Sequence, residues 1–157
     1  MNLFGLMDTS GSAMQAERMR AEVVAANMAN AETTRTAAGG PYRRQEVVFA
    51  ADRGDPNFLD SIGSAISRPR LPPLPGAGAV APGVRIARVV ADPSPPLKRY
   101  DPGHPDADAE GYVAYPDINP LTEMVDLLGA TRAYGLNGSA VQAEKGMIAA
   151  ALEIAKS

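Results

Sequence analysis

The chain has 157 residues, a net charge of −3, 5% aromatic residues, no tryptophan and no cysteine. That length predicts one domain, or one domain with a projecting part, and alanine and methionine suit close helix contact and adaptable gap filling better than a large conventional core. The absence of cysteine excludes a disulfide framework and a thiolate metal or redox centre, and no segment concentrates the positive charge that nucleic-acid affinity requires.

All fourteen prolines lie between Pro41 and Pro120, so each end of the chain is free to be helical. In the first segment a 3-4 stripe runs through Leu3, Met7, Ser10, Met14, Glu17, Ala21, Val24 and Met28. Asp8, Thr9, Ser10 and Ser12 are candidate N-caps, which predicts a firm helix only from about Ala13, with a looser apolar lead before it. Thr33, Thr34, Thr36 and Gly39-Gly40-Pro41 close the helical stretch. Asp8, the lack of any base before Arg18 and the broken apolar run argue against a cleaved secretory signal peptide. No stretch approaches the roughly 20 apolar residues of a membrane span.

In the middle, Glu46 to Phe49, Val84 to Val90 and Gly111 to Tyr115 read as strands. Arg68 to Pro82 is rich in proline and glycine and reads as a loop or arm. Its Pro72-Pro73-Leu74-Pro75 run offers PxxP spacing, which a spacer composition explains equally well.

The last segment opens with Asn119 as N-cap, Pro120 at the first helical position and Glu123 opposing the helix dipole. A stripe follows through Met124, Leu127, Thr131, Tyr134, Gly138, Val141, Lys145, Ile148, Leu152 and Ala155. Gly129, Gly135, Gly138 and Gly146 each cost about 0.8–1.0 kcal/mol relative to alanine inside a helix. The expectation is a long helix that packing in an assembly stabilises; the alternative is a break near Gly135 to Gly138. Charge is spread evenly: residues 1–34 carry four acids against two arginines, and residues 121–157 carry four acids against three bases.

Two constellations invite a chemical reading. Asp106, Asp108 and Glu110 followed by Gly111, with Val113 and Asp117 at the eighth and twelfth places, match part of a calcium loop. Pro102 and Pro105 exclude an entering helix, and Tyr112 to Tyr115 is strand-like, so a solvated acidic turn is expected, with a calcium-binding or peptide-docking module as the alternative from another class. His104 is the sole histidine, sits in a Gly103-His104-Pro105 turn and has no nucleophile elbow, P-loop or dinucleotide fingerprint beside it. No enzyme activity, cofactor or small-molecule substrate is expected.

Gly11 to Arg20 and Asn27 to Thr36, together with Glu123-Met124, Arg132-Ala-Tyr134, Asn137 and Lys145-Gly-Met147, resemble the terminal signatures of bacterial flagellar rod and hook proteins. The block Val89 to Pro96 and Tyr100 to Pro116 is similar to a proximal-rod member of that family, with another rod or hook subunit as the alternative. The resemblance covers about residues 10–53 and 83–157, and Asp117-Ile118-Asn119 departs from the Asn-Val-Asn of the pattern. It implies an α+β chain with three parts: an axial helix in 1–36, a small β-rich region in 37–118 with its loop at 68–82, and a second axial helix in 119–157, the two helices packed like a coiled coil. It further implies a subunit of the periplasm-spanning rod of the flagellar basal body. Such a subunit is exported through the flagellar type III apparatus without a cleaved signal peptide and assembles with copies of itself and other rod proteins. The assembly interface so implied runs through Leu3, Met7, Met14, Ala21, Val24, Asn27, Met28 and Asn30, with Asn27 and Asn30 ending the first helix, and through Met124, Leu127, Tyr134, Asn137, Val141, Ile148 and Leu152.

Overall fold

The computed structural model describes residues 3–52 and 83–156. The proline-rich arm expected at 68–82, with its PxxP run, lies outside the described residues. Helix α1 covers Leu3–Ala29 without a break, so the looser lead expected before Ala13 is instead helical. The hydroxyls predicted as caps turn back onto their own helix: Thr9 Oγ1 donates to the Gly5 carbonyl at 2.8 Å and Ser12 Oγ to the Thr9 carbonyl at 2.8 Å. The helix ends at Ala29, and residues 30–36 of the expected helical segment are turns and open chain. There Asn30 N–H donates to the Ala26 and Asn27 carbonyls, and Gly39 and Gly40 at φ 86° and 73° reverse the chain.

Strand β1 (Gln45–Asp52) pairs antiparallel with β2 (Gly83–Ala91), from Gln45 opposite Ala91 to Asp52 opposite Gly83, with a register shift between Val48 and Phe49. This ribbon lies against α1, where Ser12 Oγ accepts the Val84 N–H at 3.1 Å. A second antiparallel pair, β3 (Leu97–Tyr100) and β4 (Tyr112–Tyr115), frames the acidic loop. Strand β3 was not expected from sequence: Leu-Lys-Arg-Tyr is exposed throughout and shows no alternation. Its pairing partner holds it there, helped by the Arg99 guanidinium lying 4.0 Å over the Tyr115 ring and an edge contact between Tyr100 and Tyr112.

Helix α2 (Pro120–Ile154) runs unbroken for 35 residues, about 52 Å. Asn119 caps it as expected, accepting the Leu121 N–H at 3.0 Å, with Pro120 at the first position. The break considered near Gly135 to Gly138 is not there. The two helices are antiparallel: Asn27 meets Glu123, Arg20 meets Asp126, and Met14 lies beside Gly138. The fold is thus α+β, two long helices with two small β ribbons. Its buried apolar residues among those described are Ala16, Val24, Val113, Tyr115, Ile118 and Ala130.

Candidate assembly surface and the junction behind it

The seam between the helices combines small and aliphatic side chains with buried polar ones. Asn27 and Glu123, each 1% exposed, are with Val113 the largest fully buried side chains among the described residues. Asn27 Nδ2 donates to the Gln45 carbonyl at 2.9 Å and to Glu123 Oε2 at 3.1 Å, while its Oδ1 accepts the Gln45 N–H at 2.9 Å and the Tyr42 hydroxyl at 3.2 Å. Asn27 and Asn30 flank the end of α1 at Ala29, where the family resemblance implies it. Asn27 lies in the last turn, two residues before that end, and stitches α1 to the start of β1 and to α2, while Asn30 stands just beyond, its Nδ2 donating to the Ala26 carbonyl.

Glu123 was read from sequence as a first-turn acid on the helix dipole. Here its other oxygen also takes the Arg44 Nε at 2.6 Å, and Arg44 reaches on to Glu46 at 2.6 Å and Asp126 at 3.8 Å. Removing two charges from water is tolerable only when both are paired and bonded, and here they are. The Glu123 hydrogen bond is the leading reason the Arg44 pKa is raised. Burial, then the Glu123 charge, raises the Tyr42 phenol. Arg20 closes the junction at 3.3 Å from Asp126. Tyr42, Arg44 and Gln45 lie in a non-periodic loop and at a strand edge, where no spacing could mark them in advance.

The residues expected on the assembly face divide into two sets. Val24 and Asn27 are buried within the chain, and Met7, Met14, Ala21, Met28, Leu127, Asn137, Val141 and Ile148 are half-buried. Met124, Tyr134 and Leu152 remain exposed, and the side chain of Leu3 is outside the described set. The line drawn through α2 from sequence meets the covered face at Leu127, Gly138, Val141 and Ile148 and passes beside its most buried residues, Glu123, Ala130 and Glu144.

On the far side of α2, Leu121 (69% exposed), Val125, Leu128, Leu136 (72%) and Ile154 (76%) point outward. A β-carbon at Gly129, Gly135 or Gly146 would meet nothing within 4 Å, so only Gly138 faces α1. A helix apolar on both faces is the pattern of one covered on both. The clue lay in Leu121, Met124, Val125, Leu127 and Leu128, which surround the helix axis rather than form one stripe.

Two carboxylates of the acidic loop, Asp106 and Asp108, bond within the chain. Asp106 accepts the Thr34 hydroxyl at 2.8 Å and pairs with Arg35 at 3.4 Å, tying the loop to the segment after α1. Asp108 Oδ1 accepts the N–H groups of Glu110 and Tyr112, at 3.1 and 2.7 Å. His104 Nδ1 accepts the Asp106 N–H at 3.1 Å, and its ring meets Tyr115 edge-on. Among the described residues no group of three or more His, Asp or Glu side chains could hold a metal ion, and no helix is long and apolar enough to cross a membrane.

The helix pair leaves Leu121, Val125, Leu128, Leu136 and Ile154 exposed on its outer side, an apolar surface of the kind that protein association covers. Residues 7–35 match the family model described as flagella basal body rod protein, and residues 109–154 match that of the flagellar basal body rod FlgEFG protein C-terminal region. Over 99% of its length the chain is 40% identical to the whole of the flagellar basal-body rod protein FlgC of Bacillus subtilis. It is 37% identical to the FlgC of Borreliella burgdorferi over 98% of each chain, and 32% identical to that of Salmonella typhimurium over 94% of each. The chain belongs to the FlgC family of flagellar basal-body rod proteins, in agreement with the proximal-rod resemblance of its middle block.

Proposed function

We infer that this chain is a structural subunit of the flagellar basal-body rod whose outward α2 face packs against neighbouring subunits, copies of itself and other rod proteins, to build the shaft that transmits torque. The observation that carries the reading is the exposed aliphatic line Leu121, Val125, Leu128 and Leu136 beside open glycines on an unbroken helix. Burial of such side chains contributes about 1.5–3 kcal/mol each, and glycine lets a second backbone come close. An interface between unlike patches that does not close on itself propagates as a helical filament, the geometry a shaft needs. Met124, Tyr134 and Leu152 are exposed as well, Tyr134 and Leu152 on the side of Val141 and Met124 on the flank, whereas Val24 and Asn27 hold the helix pair from within. The family further supports passage through the flagellar type III export apparatus without a cleaved signal peptide. The reading requires no nucleic acid, small-molecule substrate or cofactor.

The test is complementation of a strain lacking this subunit with Leu128→Asp and Leu136→Asp variants. The expected result is secretion at the parental level with loss of the subunit from purified basal bodies and loss of swimming. Normal swimming with normal subunit content would overturn the assembly-face assignment.

A further inference from the structure

The helix pair is fastened unevenly. Near Asn119 it carries the Asn27–Glu123 and Arg20–Asp126 bonds, backed by Arg44. Toward its C-terminal end α2 presents Gly138, Val141, Glu144 and Ile148 on the covered side. Glu144 is 2% exposed, and its Oε2 is buried with no hydrogen-bond partner. By the antiparallel pairing it lies opposite the part of α1 that precedes Met14. A carboxylate oxygen covered without a donor loses its hydration and gains nothing in return. Detaching this half of α2 restores that hydration, whereas detaching the other half would strand Glu123, Asn27 and Arg44. Meanwhile α1 has its own hold on β2 through Ser12 and Val84. Residues 149–156 are exposed already.

We propose that α2 is a hinged latch: its C-terminal half, from about Ser139 onward, opens away from α1 while its first turns stay pinned, and Glu144 is the group that sets the opening equilibrium. The device is a property of the single chain and does not depend on the rod reading. In the open state Glu144 lies on a free helix surface that a basic side chain can approach.

Amide hydrogen exchange on the full-length protein tests this. Residues 140–148 are expected to exchange roughly tenfold or more faster than residues 123–131. Glu144→Leu should slow residues 140–148 by a similar factor and leave 123–131 unchanged, and Glu144→Gln, still polar, should slow them less. Simple fraying of a chain end would give fast exchange that ignores Glu144. Equal exchange in the two segments, no response to Glu144→Leu, or equal slowing of both segments would overturn the proposal.

Discussion

The two faces of α2 differ in what they bury and what they leave open. The covered face carries the buried Glu123, Ala130 and Glu144 among the half-buried Leu127, Gly138, Val141 and Ile148, whereas the open face carries Leu121, Val125, Leu128, Leu136 and Ile154. A chain that folded for its own sake would gather its leucines on the covered face and leave its glutamates in water, because aliphatic burial is the main favourable term in folding. Here Glu123 and Glu144 are buried, and Leu121, Leu128 and Leu136 are exposed. The intrachain seam adds specific polar bonds that fix register, and a second apolar surface is left for association.

The sharpest break between the faces comes from placing a charge on each in turn. Leu136→Asp on the open face should eliminate incorporation into the rod, yet shift the unfolding free energy of the isolated chain by no more than about 1 kcal/mol, read by urea denaturation. A large loss of chain stability would show that the face is already covered.

On the closed face, Glu123→Ala should destabilise the chain by about 1–3 kcal/mol, since it removes the buried partner of Arg44, which keeps Glu46 and Asp126, and one of the two acceptors of Asn27. The pair Glu123→Leu with Arg44→Met should recover most of that loss. Failure to recover would mean that the ion pair itself, rather than the avoidance of unpaired charge, holds the junction.

Away from the helices, Gly111→Ala should cost about 1–2 kcal/mol, because residue 111 has φ 82° and a β-carbon there would stand 2.9 Å from the Tyr100 ring. The loss should appear in the β3–β4 loop by hydrogen exchange and leave α2 protection untouched.

The smallest effect concerns pH. Burial and the Glu123 charge raise the Tyr42 phenol above its ordinary value of 10.0, so the folded state holds this proton more tightly than the unfolded chain. That contribution is complete below pH 10.0 and is lost as pH rises through the folded value. Tyr42→Phe should therefore make the alkaline decline in thermal midpoint slightly shallower, at the cost of the hydroxyl bond to Asn27. An unchanged slope would place Tyr42 outside the junction.

Much of the architecture was legible in advance. The proline-free ends, the Asn119-Pro120 cap and the apolar alternation of Val84 to Val90 identify both helices and one strand through local rules that act within a few residues. Strand β3 was missed because Leu97 to Tyr100 has no pattern of its own and forms only against β4. The early start of α1 was missed because Thr9 and Ser12 have two uses for a hydroxyl, and only the surrounding chain selects between capping and bonding back.

By itself, then, the sequence determined two long terminal helices and a proline-punctuated middle, since those features follow from residue type and spacing along one segment, and its terminal motifs carried the resemblance to the rod family. Only the tertiary structure decided which side of α2 is inside. Helical periodicity marks candidate faces but carries no direction when apolar residues surround the axis. The direction is set by Asn27, Arg44 and Glu123, which lie far apart in sequence and meet through hydrogen bonds that exist only once α1, β1 and α2 are in contact.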